Sequence, residues 1–245
     1  MEEYIVRMEN IQKNFGTVKA VRSGQFNLKK GEIHSIIGEN GAGKSTMMKM
    51  LYGMYPIDGG KIFLNGQELT HYTTKDAIAA GIGMVHQEFM LVNELTVLEN
   101  VILGFEPTKG LAIDRQAARK KISQYIETYH MDIQLDKKIN QISVGEAQRV
   151  EIIKTLSRGA NVIILDEPTS VLTPQETEKL FEILNDLKQA GHPIVFISHK
   201  LNEVMEISDR ITVMRNGEFM GTLEAKDTNE RELAMKMVGR EVLLN

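Results

Sequence analysis

The alternation of apolar and polar positions divides the chain into three stretches. Over the first sixty-odd residues, short apolar runs such as EIHSII are separated by glycine, a pattern that predicts strands. The Asn65-Gly66 pair in this stretch is typical of a tight hairpin turn. Between about residues 96 and 158 the apolar residues recur at helical spacing without an intervening strand pattern. This block is therefore predicted to be a helical insert.

From about residue 159 the period changes again. NVIILDEPTS predicts a strand, PQETEKLFEILNDLKQAG a helix and PIVFISHK another strand, and Asn216-Gly217 predicts a second hairpin. Strands that alternate with helices of about 12 residues are typical of a parallel sheet. We therefore expect one α/β domain over residues 1–245. It has a mostly parallel core with an N-terminal antiparallel β subdomain (about 1–95 and 159–245) and a helical subdomain (about 96–158).

Composition narrows the classes of function. The chain has no cysteine, which excludes disulfides and thiolate zinc sites. Its net charge of −4 argues against a non-specific nucleic-acid binder. The N-terminus MEEYIVRMEN lacks the apolar core of a signal peptide, and the longest apolar runs fall far short of the ~18 residues of a membrane helix. Any membrane role is thus expected to be that of a peripheral partner.

The segment GENGAGKST matches the P-loop pattern Gly38-x-x-x-x-Gly43-Lys44-Ser45. In such a loop backbone N–H groups curl around an anion, the lysine reaches the terminal phosphates and the hydroxyl binds magnesium. The alternative is a flexible glycine-rich turn. A buried strand pattern before the segment and a helical pattern after it favour the phosphate-binding interpretation, and with it the fold of a P-loop NTPase.

A second candidate group follows the strand VIILDEP. We expect this strand to lie beside the P-loop strand and to present Asp166 to a magnesium ion at the carboxyl end of the sheet. Glu167 is the candidate general base that polarises a water for attack on the γ-phosphate. The alternative is an acidic cap after a buried strand, which the nearby P-loop makes the weaker interpretation.

Three further candidates come from strand and helix ends. His199 follows the strand FIS and is expected to contact the γ-phosphate and the attacking water, although a lone histidine at a strand end is often structural. Gln87, in MVHQE, is expected to sense magnesium or water, but polar residues are common at strand ends. Ser143 and Gly145 start an amphipathic helix, which is either a capped helix alone or a second anion-binding helix end.

Taken together, the P-loop, Gln87, ISVGE, VIILDEP and His199 resemble, in order and spacing, the ATPase domains of ABC transporters. The resemblance covers about residues 4–240. It implies that two such domains pair head to tail, with ATP and Mg²⁺ between the P-loop of one domain and the signature helix of the other. It implies that Phe15 stacks on adenine, that Glu167 is the general base and that His199 is the switch histidine. The residues implied to bind the phosphates are Gly38, Asn40, Gly41, Gly43, Lys44, Ser45 and Thr46, and those implied to bind the metal ion are Ser45, Gln87 and Asp166. Ser143 and Gly145 are implied to face the ATP of the partner domain.

Two departures point to a subfamily. The usual Leu-Ser-Gly-Gly-Gln signature is replaced by ISVGE, which ends in Glu146, and Thr173 stands where an aspartate is usual. GENGAGKST, DEPTSVLT and ISHKLNEV resemble the first half of the tandem ATPases of simple-sugar and nucleoside importers, and GIGMVHQEFMLVNELTVLENVILGFEP favours the nucleoside branch. The chain stops at MVGREVLLN, where such a protein would enter its linker, so we expect an N-terminal half.

The resemblance therefore implies an ATPase subunit on the cytoplasmic face of the membrane. Its expected partners are a second ATPase half, membrane permease subunits and, indirectly, an extracellular substrate-binding protein, with no nucleic acid. One alternative is a soluble ABC protein that acts on DNA or the ribosome, which the absence of cysteine and of basic runs disfavours. Another is a regulatory module that binds ATP without turning it over. Glu167 and His199 count against this module, whereas Glu146 and Thr173 count for it.

Overall fold

The computed structural model describes residues 4–109 and 112–239. Residues 240–245, which belong to the segment on which the expectation of a tandem chain partly rests, lie outside these ranges. The strands are β1 (Tyr4–Phe15), β2 (Val18–Lys29), β3 (Ile33–Ile37), β4 (Gly59–Leu64), β5 (Gln67–Glu68), β6 (Ile82–Val85), β7 (Thr108–Lys109), β8 (Ala112–Ile113), β9 (Val162–Asp166), β10 (Ile194–Ser198), β11 (Arg210–Arg215) and β12 (Glu218–Glu224). The helices are α1 (Lys44–Leu51), α2 (Thr74–Ala79), α3 (Val97–Ile102), α4 (Arg115–Thr128), α5 (Val144–Ser157), α6 (Pro174–Gln189), α7 (Leu201–Ile207) and α8 (Glu230–Val238).

Ten strands form one mixed sheet in the order β5-β4-β1-β2-β12-β11-β3-β10-β9-β6. The strands from β11 to β6 pair in parallel, whereas β1, β2, β4 and β5 pair antiparallel. The antiparallel part joins the rest where β2 meets β12: Glu218 pairs with Ser23, and the N–H groups of Arg22 and Ser23 donate to the Gly217 carbonyl. The predicted fold class, an α/β P-loop core with an antiparallel β part and added helices, is confirmed.

One prediction about strand order is wrong. β9, which ends at Asp166, does not lie beside the P-loop strand β3, because β10 pairs with both of them. All five residues of β10 are buried, as expected of a strand that is covered on both faces and both edges. The carboxyl end of β10 consequently separates the P-loop from the acidic pair, and His199 follows at that position.

Both faces of the parallel sheet are buried, and alternate residues of each strand point to opposite faces. Ile163 and Leu165 of β9 pack in one apolar cluster with α3 to α8, whereas Ile164 packs in another cluster with the methionine-rich helix α1. Methionines 47, 48 and 50 of α1 are fully buried, but the helix ends at Leu51 and Met54 is partly exposed beyond it.

The helical block 96–158 contains α3, α4 and α5, but it also contains the hairpin β7–β8, which the sequence analysis did not predict. Pro107 and Gly110 in this stretch disfavour a continuous helix. The buried residues of the block belong to the same apolar cluster as β9 and β10, so no separate core marks its boundary. The division into subdomains stays a prediction. Within residues 4–109 and 112–239, none of the helices has the length and apolar character needed to cross a membrane.

Candidate active site

The P-loop connects the end of β3 to the start of α1, as the sequence predicts. Gly43 is the N-cap of α1 and has a φ of +97°, a conformation that favours glycine. Gly38 is needed for a different reason, because a Cβ there would lie 2.4 Å from the carbonyl oxygen of Met214 on β11. The loop is thus packed against the sheet at Gly38 and has a left-handed backbone conformation at Gly43. This arrangement places the N-terminus of α1 at the carboxyl edge of the sheet.

Lys44 is buried under this loop, with its ammonium held on loop carbonyls. Nζ donates to the carbonyl oxygens of Gly38 over 2.7 Å and of Glu39 over 3.1 Å. Burial lowers the pKa of Lys44, and the carboxylates of Glu167 and Asp166 oppose that change. The cation therefore lies among groups that stabilise its charge, at the position where a phosphate would compete for it.

Ser45 and Asp166 meet across the sheet edge despite the intervening strand β10. The Ser45 hydroxyl donates to Asp166 Oδ1 over 2.6 Å, and Asp166 is 3% exposed. A hydroxyl and a carboxylate side by side form the kind of oxygen donor set that Mg²⁺ prefers. These two residues fit a magnesium ion that also contacts phosphate.

Glu167 adopts a backbone conformation that is unusual for a residue with a side chain. Its φ is +47°, in the left-handed region, which costs roughly 1–2 kcal/mol for a non-glycine residue. This conformation directs the carboxylate towards Lys44 and His199. Oε2 lies 3.0 Å from His199 Nδ1, and Oε1 lies 3.8 Å from Lys44 Nζ. The buried carboxylate is thus held between the P-loop lysine and the histidine.

A cavity of about 230 Å³ lies above these groups. It brings together nearly all of the predicted phosphate-binding and catalytic residues, and its lining is Asn40, Gly41, Ala42, Gly43, Lys44, Ser45, Thr46, Gln87, Glu167 and His199. Gln87 lies two residues beyond the end of β6, which is the edge strand of the sheet and is three strands away from the P-loop strand β3. The structure therefore places these residues in one site, and their individual roles stay predictions.

Phe15, the predicted adenine contact, ends β1 outside this cavity. Its ring packs edge-on against Tyr55 with centroids 5.1 Å apart, and Lys13 Nζ lies 5.4 Å from the ring centroid. The side chain nevertheless remains 43% exposed. An aromatic ring that is fixed by its neighbours and exposed on one side is suited to stacking on a base.

Ser143 and Gly145 lie at the start of α5 and do not line the P-loop cavity. Ser143 is the N-cap, as predicted: its hydroxyl accepts the Glu146 N–H, and Glu146 Oε2 accepts the Ser143 N–H over 2.8 Å. Glu146 is thus folded back onto its own helix. The expectation that Ser143 and Gly145 serve the ATP of another domain stays a prediction.

The sequence analysis did not predict two sets of contacts in the site. Thr173 is the N-cap of α6 and forms a capping box with Glu176, whose carboxylate also reaches Gly145. The Thr-x-x-Glu spacing was a signal for the capping box, but it gave no sign of the contact to α5.

The second set holds Met90, three residues after Gln87, against α5. Glu151 Oε1 accepts the Met90 N–H over 2.6 Å, and Lys154 Nζ donates to the Met90 carbonyl over 2.7 Å. Burial raises the pKa of Glu151. These groups line a cavity of about 200 Å³ with Arg158. No local pattern predicts such a contact, because its partners are 61 and 64 residues apart.

The family model described as ABC transporter matches residues 21–170. The chain belongs to the ABC transporter family. A nucleoside import ATP-binding protein, NupA of Lactococcus lactis, is 47% identical over 98% of the chain and 47% of the relative. A xylose import ATP-binding protein, XylG of Moorella thermoacetica, is 44% identical over 99% of the chain and 48% of the relative.

Among solved structures, the ADP conformation of MJ1267, an ATP-binding cassette of an ABC transporter, superimposes with a TM-score of 0.82. The two share 27% sequence identity, and the match covers 97% of this chain and 99% of that one. The predicted family and fold are therefore confirmed. The chain spans about half the length of the import proteins that it matches.

Proposed function

We propose that the chain is an ATP-binding and ATP-hydrolysing domain of an ABC importer. The observation that carries this proposal is the cavity in which the P-loop, Gln87, Glu167 and His199 face one another. A phosphate-binding loop alone would support nucleotide binding. The buried carboxylate that contacts His199 over 3.0 Å adds a group able to accept a proton from water, which hydrolysis requires.

In the proposed reaction, a water attacks the γ-phosphorus of ATP, the bond to the bridging oxygen breaks, and ADP leaves. Glu167 accepts the proton of the attacking water, and His199 fixes the orientation of the carboxylate through its Nδ1 contact. Lys44 exchanges the carbonyls of Gly38 and Glu39 for phosphate oxygens. Ser45 and Asp166 would hold Mg²⁺, which when bound neutralises charge on the phosphates.

This part of the proposal is tested by phosphate release from Mg-ATP. We expect hydrolysis by the purified chain to be slow but to depend on Glu167, since the Glu167→Gln variant removes only the base. A hydrolysis rate that is the same in the parent and in Glu167→Gln would overturn it.

We further propose that this domain pairs with a second ATPase half and binds membrane permease subunits on the cytoplasmic face. The half-length coverage of the relatives supports the tandem partner. Exposed apolar side chains near Gln87 and Arg158, namely Met90, Val92, Leu103 and Phe105, support a docking surface for the permease. Residues 96–158 would act as the helical subdomain that transmits closure to this surface, and an extracellular binding protein would deliver the solute.

The proposed solute is a nucleoside or a simple sugar, with the nucleoside favoured. Deleting the gene in its host and measuring uptake of a labelled nucleoside and of labelled xylose tests this choice. We expect nucleoside uptake to fall, to return with the parent gene and not to return with Lys44→Ala. Loss of xylose uptake alone would assign the sugar. Unchanged uptake of both solutes would favour the alternative, a regulatory module whose Glu146 and Thr173 suit nucleotide binding without transport.

A further inference from the structure

The carboxylate of Glu176 bridges the N-termini of two helices. On the α5 side, Oε1 accepts the Gly145 N–H over 3.1 Å. On the α6 side, Oε2 accepts the Thr173 N–H over 3.0 Å and the Thr173 hydroxyl over 3.2 Å. The Thr173 N–H contributes most to lowering the pKa of Glu176, and hydrogen bonds from Gly145 and Ser143 also lower it. Glu176 is therefore an anion at neutral pH that accepts a hydrogen bond from the Gly145 N–H at the start of α5.

Glu176 also lies directly over Gly145 in space. A Cβ at Gly145 would come within 2.6 Å of Oε1 and 2.8 Å of Cδ of Glu176. Any other group that approaches the Gly145 N–H along the same direction meets the carboxylate first. Two anions cannot share one N–H donor at this distance without strong repulsion.

We propose that Glu176 is a gating residue: its carboxylate occupies the Gly145 N–H and must leave it before Gly145 can bind the phosphate of a second domain's ATP. This inference rests on the proposed function, because it requires that α5 meets ATP held by another copy or half. It assigns to Glu176 a part in the closing of the domain pair beyond that of a helix cap.

The contacts of Glu176 allow such a movement. Its two oxygens serve different helices, so the side chain can release Gly145 while Oε2 stays on Thr173. The capping box of α6 is then preserved, and only one hydrogen bond is exchanged for the incoming phosphate. Thr173 ends the loop that starts at Glu167, so the movement of Glu176 occurs at the far end of the loop that carries the proposed base.

The test uses the whole chain in the Glu167→Gln background, where ATP is expected to persist. Glu176→Gln keeps the shape and the capping hydrogen bonds but removes the charge, and Glu178→Gln removes a charge from an exposed position two residues along α6. Sedimentation velocity with Mg-ATP measures dimerisation, and a fluorescent ATP analogue measures binding to the P-loop. We expect about tenfold tighter ATP-dependent dimerisation for Glu176→Gln and no change for Glu178→Gln.

If Glu176 served only as a helix cap, Glu176→Gln would leave dimerisation unchanged, because glutamine preserves the capping box of α6. The inference would be overturned if ATP still binds but Glu176→Gln dimerises no more tightly than the parent or than Glu178→Gln. Absence of dimers from both variants while ATP still binds would also overturn it. Loss of ATP binding by the parent would instead contradict the proposed function, so the two failures are distinguishable.

Discussion

Replacing Glu167 with glutamine separates ATP binding from hydrolysis most directly. The amide has the size of the carboxylate and can still contact His199, 3.0 Å away, but it cannot accept a proton from water. The substitution also leaves the backbone φ of +47° in place, since both side chains branch at the same atom. We therefore expect a folded variant with an intact P-loop, a lower hydrolysis rate and retained ATP binding.

The size of each effect follows from the geometry. Loss of a positioned general base lowers a rate by about 10²–10⁴-fold, or about 3–5 kcal/mol of transition-state stabilisation. Binding changes in the opposite direction. Glu167 Oε1 lies 3.8 Å from Lys44 Nζ, so the γ-phosphate would bind close to the carboxylate. Two like charges about 5 Å apart repel by about 2–3 kcal/mol at an effective dielectric of 20 to 40. Magnesium screens part of this repulsion, so we expect ATP affinity to stay equal or to rise.

Single-turnover hydrolysis of labelled Mg-ATP and equilibrium binding measure the two effects on the same protein. Glu39→Gln is the matched control: it removes a charge from an exposed side chain of the P-loop, while the backbone carbonyl that accepts from Lys44 remains. We expect near-parental hydrolysis from this control. Hydrolysis by Glu167→Gln within about fivefold of the parent, or an equal loss in Glu39→Gln, would refute the assignment of Glu167 as the base.

Three other outcomes are expected. Lys44→Ala lowers ATP affinity about ten- to a hundredfold in equilibrium binding, because a charge-assisted contact contributes about 1.5–3 kcal/mol. Unchanged affinity in a folded variant would show that the P-loop does not bind ATP. Glu146→Gln strengthens ATP-dependent dimerisation in sedimentation at low salt, because it removes a negative charge near the start of α5 that would repel the phosphates of the second domain's ATP. The effect is smaller than for Glu176→Gln, because Glu146 is folded back on Ser143 and glutamine fits the same capping box; no response to Glu146→Gln would contradict this repulsion. Burial alone would raise the pKa of Glu32, but the hydrogen bonds from Arg210, His34 and the Lys29 N–H together outweigh it and lower that pKa from 4.5 to about 2. Up to about 3 kcal/mol of stability is therefore present above pH 4.5 and is lost as the pH falls towards 2. Urea unfolding of Glu32→Gln should therefore show a deficit at pH 7 that narrows below pH 4.5, and a constant deficit would contradict this.

The parts of the site that were predictable are those with local causes. Residues 38–46 carry their own loop chemistry, and the buried runs before Lys44 and Asp166 mark strand ends whatever their neighbours are. The position of β10 between β3 and β9 has no such local cause. Strand order depends on which strands pair across the sheet, and β3, β9 and β10 are all short, mostly apolar and buried along their whole length.

Thr173 has a local structural role that comparison with the family pattern did not reveal, since it is the N-cap of α6. Compared with the usual aspartate, threonine is a departure, but as the residue before Pro174 and three before Glu176 it is a favourable N-cap. The sequence held this signal. The contact between Glu176 and Gly145 was not predictable, because it joins residues 31 apart that only the packing of α5 against α6 brings together.

Helix α5 contacts two other parts of the site, one near each of its ends. At its start, α5 meets Glu176 and, through Thr173, the loop that begins at Glu167. Two turns further along, Glu151 and Lys154 hold both backbone groups of Met90, just beyond Gln87. An α-helix of 14 residues is stiff, so a displacement of the Met90 segment moves the helix as a unit. We therefore expect a displacement of the Met90 segment to reach the end of α5 at which Glu176 covers Gly145.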